Sequence, residues 1–404
     1  MLLSVSRREL YVLLTTMFLA ISSFSIIFPL LPDLLLQFGA SSTQMGLMVT
    51  VHAVFQFLFA PFWGSVSDRV GRKPVLLLGL TGFSISFILM GFATDYMTLL
   101  GARAMGGLLS ASTFPTAQAY VADLTTDEDR GAAMGTMGAS ASLGFMMGPA
   151  MGGLLGLLGT QTAFFISAGM VAATALAGAF WLREPERKGH AGGPALGITT
   201  ALVIALRSSY RLFYWLAFVI SFCGSMLFGM GGYYLYAKIG GGVLETSLLL
   251  ITLGAASALV QGLLVGRLTV RLGDERTLLV GLALGVMGFG ILPLTTSFPG
   301  ILLTAILTAT GMSIIRPTIA SAVSKRTTME QGITMGIQSS FESLGRMFGP
   351  LTAGLVFTYH YDLPFVFAAA IYGTSLIVAA RSFRGAPAAS GSPPPAAPDQ
   401  SIGT

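Results

Sequence analysis

Twelve long apolar stretches constrain this chain more than any other feature of its sequence. Each is near or above the roughly 20 residues that a helix needs to cross a hydrocarbon core about 30 Å thick. We therefore predict an all-α membrane protein with twelve transmembrane helices. The predicted spans are residues 10–35, 45–63, 75–92, 97–121, 131–158, 163–182, 212–236, 247–265, 277–294, 301–323, 332–359 and 364–380.

Composition excludes a soluble fold. Hydrophobic residues make up 53% of the 404 positions and charged residues only 10%, whereas an ordinary soluble domain has about 25% charged residues. So few charges could not cover a soluble surface. The net charge of +5 does not indicate nucleic-acid binding, because the basic residues are confined to alternate loops.

The distribution of basic residues predicts the topology. Lys238 is the only basic residue in the loops of one side, so the positive-inside rule places both termini and the central loop in the cytoplasm. We expect a multi-pass protein of the bacterial inner (plasma) membrane. The opposite, basic side carries Arg7, Arg8, Arg69, Arg72, Lys73, Arg130, Arg183, Arg187, Lys188, Arg207, Arg211, Arg271, Arg276, Lys325, Arg326, Arg381 and Arg384.

An internal repeat divides the chain into two similar halves. The fifth predicted span has the pattern G-x8-G-x3-G-P-x2-[GA]-G, and the eleventh span repeats it 201 residues later. Segment 64–73 is echoed at 266–275, offset by 202 residues. Parallel repeats of this kind predict a substrate site between the halves. The pattern comprises Gly135, Gly144, Gly148, Pro149, Gly152 and Gly153, and its copy includes Gly336, Gly345, Gly349, Pro350, Ala353 and Gly354.

The repeat and the composition divide the chain into four predicted segments. Residues 1–187 form a first six-helix bundle, and 210–384 form a second. Residues 188–209, with glycine, proline and basic residues, are a predicted cytoplasmic linker. Residues 385–404 are rich in proline, alanine, serine and glycine, which predicts a disordered tail.

These motifs resemble the major facilitator superfamily, and within it the twelve-span drug:proton antiporters. Segment 64–73 is similar to the cytoplasmic loop signature of that superfamily, and the span-5 pattern is similar to its antiporter signature. The resemblance covers nearly the whole chain. It implies two pseudo-symmetric six-helix bundles, and a monomer that exports small amphipathic molecules by alternating access in exchange for protons.

The loop signature implies a cytoplasmic gate. By resemblance, Asp68 and Arg72 form a charge-and-helix-dipole lock, and Gly71 permits the tight turn between them and span 3. Positive-inside anchoring is an alternative explanation for the basic residues, but not for an acid at this spacing. The predicted gate set is Gly64, Asp68, Arg69, Gly71 and Arg72, with Asp123 and Arg130 as expected partners.

The glycines of span 5 allow two helices to approach closely, and Pro149 removes a backbone hydrogen bond and bends the span. We predict a bendable contact between spans 5 and 8 that serves in gating. The alternative is tight packing without gating.

Arg103 is a charged residue inside span 4 and is therefore a functional candidate. Its surroundings resemble the family's span-4 motif, in which an arginine influences proton transfer, but Gly106 replaces the usual glutamine. Snorkelling of Arg103 to the interface is the alternative. In span 1, Ala20 lies where tetracycline-type members have an acidic residue, so a proton site must lie elsewhere.

Two other groups could couple transport to protons. His52 in span 2, with Gln56 one turn later, could load and release a proton, or it could simply bond a neighbouring helix. Glu342 in span 11 should pair with Arg346 or Arg316, because an unpaired carboxylate in hydrocarbon costs several kcal/mol. A static ion pair is the alternative, but the excess positive charge could also bind an anionic or zwitterionic substrate.

The sequence indicates no enzyme, cofactor or metal site. It lacks a G-x4-G-K-[ST] phosphate loop, so ATP is not the expected energy source. One cysteine and three scattered histidines propose no metal cluster. The alternative function is a specific exporter or facilitator of a charged metabolite or lipid-like compound, and a non-transporting sensor is a more distant rival.

Overall fold

The computed structural model describes residues 2–185, 208, 210–326 and 331–384. These residues contain helices and no β-strand. The predicted linker, except Ser208, and the predicted tail lie outside the described residues.

Seven helices form the described part of the first half. They are α1 (Leu2–Gln37), α2 (Ser42–Val70), α3 (Arg72–Gly91), α4 (Tyr96–Ser110), α5 (Thr113–Leu124), α6 (Asp127–Gly156) and α7 (Thr160–Trp181). Short polar or glycine-containing turns separate them. The fourth predicted span corresponds to α4 and α5 together.

Six helices form the described part of the second half. They are α8 (Arg211–Ile239), α9 (Val243–Leu259), α10 (Val265–Ile291), α11 (Phe298–Arg326), α12 (Gln331–Phe357) and α13 (Leu363–Arg384). One π turn, Val260–Leu264, joins α9 to α10, and the 3-10 turn Leu292–Leu294 follows α10.

Local signals account for the helix boundaries. Ser41 and Gln44 form a capping box at the start of α2. Asp95 accepts hydrogen bonds from the backbone N and Oγ1 of Thr98 at the start of α4, and these bonds lower the pKa of the exposed Asp95 carboxyl. Gly240 ends α8 in the left-handed conformation, with φ of 68°.

Eight segments of the described chain are long and apolar enough to cross a membrane. One of them, Val243–Leu294, has 52 residues and contains two of the predicted spans. Gly273 interrupts it with a non-helical φ of 77°. The helices α4 and α5 are individually short, and the glycine-containing α6 and α12 are not among the eight. Twelve crossings, the domain boundaries and the sides of the termini stay predictions.

The two halves repeat one packing arrangement. In the first, α6 packs against α1, and Ser25 Oγ donates to the carbonyl oxygen of Gly144 at 3.3 Å. In the second, α12 packs against α8, and Ser225 Oγ donates to the carbonyl oxygen of Gly345 at 3.2 Å. The sequence repeat is therefore a repeat of helix–helix contacts.

The signature glycines bring backbones together within each half. A Cβ added at Gly144 would lie 2.6 Å from the Phe18 carbonyl oxygen, and one added at Gly345 would lie 2.6 Å from that of Phe218. Only a residue without a side chain permits this approach. The prediction that this pattern contacts span 8 was therefore incomplete, because Gly144 packs against α1.

The halves meet at the end of the bundle where α1 ends and α2 begins, which we call the outer end. There α2 packs against α12, and a Cβ added at Gly46 would lie 3.1 Å from Gly354 Cα. Likewise α6 packs against α9, where a Cβ added at Gly153 would lie 2.8 Å from Ser247 Cβ. Gly153 is thus the signature residue that does face predicted span 8.

The same helices are open at the opposite, inner end. Cβ atoms added at Gly64 of α2, at Gly336 of α12, or at Gly131, Gly135 and Gly138 of α6 would meet no other atom within 4 Å. The described glycines of α2, α6 and α12 therefore contact the other half near the outer end and not near the inner end, which the charge distribution predicts to be cytoplasmic.

Replacing Gly345 with valine should destabilise the second half. The added side chain would overlap the α8 backbone, and such overpacking costs about 1–3 kcal/mol. The melting temperature of the purified protein should fall. Gly336→Val on the same helix is the matched control and should leave it unchanged, since a Cβ there meets open space. Equal melting temperatures for the two variants would contradict this packing.

Candidate functional site

A buried carboxylate on α12 holds two arginines. Arg316 Nη2, from α11, donates to Glu342 Oε2 at 2.8 Å. Arg346, one turn further along α12, places Nη1 3.6 Å from the same oxygen. The structure thus brings together the three charged residues that the sequence indicated for the second half.

The two arginines are accessible although the carboxylate is not. The side chains of Arg316 and Arg346 are 67% and 48% exposed, whereas that of Glu342 is 8% exposed. A guanidinium at mid-helix is costly in lipid, so charged groups at this depth face a protein interior or an aqueous cavity. The cluster therefore faces the space between the halves.

The cluster lies just inside the closed outer end. Thr50 Oγ1 of α2 donates to the Met347 carbonyl oxygen of α12 at 3.1 Å, which joins the two halves. Glu342 is five residues before Met347, or about 7 Å along the helix at 1.5 Å per residue. The charged cluster therefore lies close to a contact between the halves.

Gln338 completes the cluster and was missed from the sequence. Its Nε2 donates to Glu342 Oε1 at 3.1 Å, and its Oε1 is buried without a partner. The signal was available, because Gln338 precedes Glu342 by four residues and so shares its helix face.

At the inner end, Arg72 connects three helices of the first half. It pairs with Asp68 of α2 at 2.5 Å and with Asp123 of α5 at 3.0 Å. Its Nη1 also donates to Ser67 Oγ at 2.7 Å, and Ser67 Oγ donates to the Gly64 carbonyl oxygen at 2.8 Å. The structure thus brings Asp123 to the loop signature as expected. A gating role for this cluster stays a prediction.

Two further members of the predicted gate set flank this cluster. Arg69 is exposed in the last turn of α2, and Arg130 is partly buried in the first turn of α6. Their place at the inner end agrees with the basic side of the predicted topology.

Glu184, which follows α7, was missed by the sequence reasoning. Its two carboxylate oxygens accept hydrogen bonds from the backbone N–H groups of Arg72 at 2.5 Å and Lys73 at 2.9 Å. A carboxylate at this position satisfies the free donors at the start of α3 and complements the helix dipole. Gly71, with φ of 129°, makes the turn that exposes these donors.

The polar residues of spans 2 and 4 lie inside the first half. His52 is 4% exposed, and its ring stacks on Phe24 at 5.3 Å between centroids. Arg103 is 2% exposed, and Gln56 is partly buried. The His52 ring is enclosed by its own bundle, since it lies 6.4 Å from the Phe83 ring of α3 and a Cβ added at Gly106 of α4 would lie 3.8 Å from its Nδ1. Burial of Arg103 contradicts snorkelling to an interface.

Three aromatic rings bridge the halves. Phe145 of α6 lies 5.7 Å from Phe28 of α1 and 5.3 Å from Phe228 of α8, between ring centroids. Phe145 occupies the position in the first repeat that Arg346 occupies in the second, 201 residues later. The charged cluster of one half thus has an apolar counterpart in the other.

A model of the Major Facilitator Superfamily matches residues 13–327 and, a second time, residues 215–402. The chain belongs to the Major Facilitator Superfamily. Multidrug resistance protein 1 of Bacillus subtilis (strain 168) is 30% identical over 365 residues, covering 89% of this chain and 92% of that protein. Tetracycline resistance protein, class B, of Escherichia coli is 28% identical over 350 residues, covering 84% and 85%.

Solved superfamily structures share the fold. A bacterial homolog of the human lysosomal transporter Spinster, inward-facing and occupied, aligns with a TM-score of 0.78 at 15% identity, over 93% of this chain and 96% of that one. The nucleoside transporter NupG aligns with a TM-score of 0.74 at 14% identity, over 93% and 99%. The chain is thus a multi-pass membrane transporter and not an enzyme. Its described residues contain no group of three or more His, Cys, Asp or Glu that could hold a metal.

Removing the Glu184 carboxylate should loosen the start of α3. In Glu184→Ala the N–H groups of Arg72 and Lys73 lose their acceptors, at a cost of about 1 kcal/mol. Amide hydrogen exchange in the peptide covering residues 72–78 should become several-fold faster, while exchange in α10 should not change. Glu184→Gln keeps one acceptor oxygen and should show a smaller effect. Unaltered exchange in the alanine variant would contradict the capping role.

Proposed function

We propose that the protein exports small amphipathic molecules across the bacterial plasma membrane by alternating access, in exchange for protons. The observation that carries the proposal is the buried Glu342 carboxylate, paired with two exposed arginines close to a contact between the halves. The multidrug and tetracycline resistance relatives support export as the direction. Cytoplasmic termini and a monomeric state complete the proposal.

The contacts between the halves support alternating access. They include small-residue contacts at the outer end, where Gly46 approaches Gly354 and Gly153 approaches Ser247. Such interfaces rest on close backbone packing, and few side-chain bonds have to be broken when they part. Rocking of the repeats would then separate the outer contacts and close the inner end around the same central site.

Glu342 is the best placed proton carrier. It is the one acidic residue that is buried in the described part of the chain, and both of its arginine partners are exposed. Protonation would remove its charge and release Arg316 from their 2.8 Å contact. His52 has no comparable access, because it is packed within the first bundle.

A disulfide across the outer end tests alternating access. In the pair Gly156→Cys and Val243→Cys, made in a Cys223→Ser background, the two Cβ atoms would lie 3.6 Å apart, which suits a disulfide. Oxidation should reduce substrate flux in proteoliposomes by at least about tenfold, and reduction should restore it, because the bond prevents outer opening.

The matched control for this disulfide joins two helices of one half. Gly290→Cys with Ala369→Cys places the Cβ atoms 3.9 Å apart between α10 and α13. Its oxidation should leave flux unchanged. Full flux with the outer pair demonstrably cross-linked would rule out alternating access through this interface.

Proton exchange is tested at Glu342. Substrate-driven proton movement in proteoliposomes should be abolished by Glu342→Gln and retained by His52→Ala, because the glutamine cannot take up a proton. The assay uses a trapped pH-sensitive dye and an imposed pH gradient. If no imposed gradient drives transport of any tested substrate by the unmodified protein, antiport is wrong; loss with His52→Ala alone would move the proton site to the first half.

A further inference from the structure

The charges around Glu342 restrict the kind of molecule that this site can bind. We infer that the substrate carries a cationic and an anionic group a few bonds apart, and that it binds by inserting these groups between Arg316 and Glu342. The inference rests on the proposed proton exchange. It adds the chemical class of the substrate and the manner in which the ion pair opens.

The exposure of the side chains sets the order in which a substrate contacts Arg316 and Glu342. An incoming molecule meets the guanidinium of Arg316, which is 67% exposed, before Glu342, which is 8% exposed and in contact with that guanidinium. Insertion leaves neither ion unpaired. The guanidinium gains the anionic group of the substrate, in the two-point geometry that arginine prefers, and Glu342 gains the cationic group in place of Arg316.

The charge balance favours a molecule with both signs. Two arginines surround one carboxylate in this described cluster, so it carries one excess positive charge and repels a substrate that is only cationic. A substrate that is only anionic could bind the arginines. It would, however, favour protonation of Glu342, so substrate and proton would bind together and not in exchange. A cationic group on Glu342 competes directly with the proton, as antiport requires.

The distances set the spacing of the two groups. Arg316 Nη2 and Glu342 Oε2 are now in contact at 2.8 Å, so the smallest opening that admits a substrate between them suits two charges that are a few bonds apart, as in an α-amino acid. Gln338, which donates to Glu342 Oε1 at 3.1 Å, can hold the carboxylate in place while Arg316 leaves. The substrate group then replaces one contact and leaves the others intact.

The groups around Glu342 are consistent with this exchange. Among the described residues, the ionic partners of Glu342 are Arg316 and Arg346. From α8, the ring of Tyr214 stacks on Phe341 at 5.8 Å, and Tyr210, just before α8, packs against the same apolar cluster. From α2, the residue that contacts α12 nearby is the uncharged Thr50.

The rest of the substrate has an apolar surface to meet. Phe145 lies in the first repeat at the position equivalent to Arg346, and its ring contacts those of Phe28 and Phe228 at the junction of the halves. A molecule with its charged end at Arg316 would extend its apolar body toward these rings. The site thus takes an amphipathic zwitterion.

Three fluorescent probes with one apolar body test the inference. They are Nε-dansyl-lysine, a zwitterion; its Nα-acetyl derivative, an anion; and dansylcadaverine, the same chain without the carboxyl group and a cation. Binding is measured by fluorescence titration of the full-length purified protein in nanodiscs. The zwitterion should bind at least about tenfold more tightly than either derivative, as expected for losing one charged hydrogen-bonded contact.

Two variants assign the contacts. Arg316→Gln should remove the preference for the zwitterion over the cation, and Glu342→Gln should remove its preference over the anion. Arg271→Gln, at an exposed position on α10, is the control and should keep both preferences. Melting temperatures identify any variant that fails to fold, in which case competition among the three probes on the unmodified protein decides.

The outcomes separate this inference from the proposed function. Equal or tighter binding of the anion or the cation, or no binding of the zwitterion, overturns the inference, even if a proton gradient still drives export of another substrate. Preference for the zwitterion that survives in both variants overturns the assignment to Arg316 and Glu342. The predicted preferences without any proton-driven flux would support the binding site and overturn the antiport proposal alone.

Discussion

Close approach of helix backbones at glycine is the interaction on which the rest of this structure depends. In a bilayer, lipid tails are as apolar as leucine side chains, so the hydrophobic effect does not hold helices together and van der Waals packing must do so. Gly144 and Gly345 supply it within each half, against α1 and α8. Gly153 and Gly354 supply it between the halves. One repeated pattern therefore builds both bundles and joins them.

The different roles proposed for the two halves follow from where their charges lie. Both halves share the glycine contacts, but the first encloses His52 and Arg103 within its own packing, whereas the second exposes Arg316 and Arg346 to the central space. A charge that can reach water can exchange partners at modest cost, while one enclosed by apolar rings cannot. Proton and substrate chemistry is accordingly proposed for the second half, which the alanine at position 20 already suggested.

The inner end of the first half is held together by ion pairs and hydrogen bonds instead of glycine contacts. Arg72 joins α2 and α5 through Asp68 and Asp123, and Glu184 caps the start of α3. All of these interactions are within the first half, so they make its inner end rigid. Rigid bundles that meet through weak small-residue contacts are what a rocking motion needs.

The sequence by itself determined the helical membrane fold, the two repeats, the family and the meeting of Glu342 with its arginines. These follow from hydrophobic length, from periodic glycines and from the cost of a lone buried charge, all of which are local or pairwise properties. Only the tertiary structure decided that His52 is buried within the first bundle, that Glu184 caps α3, and that Gly144 packs on α1. Which face of a helix meets which neighbour depends on the packing of the whole bundle, and no single segment encodes it.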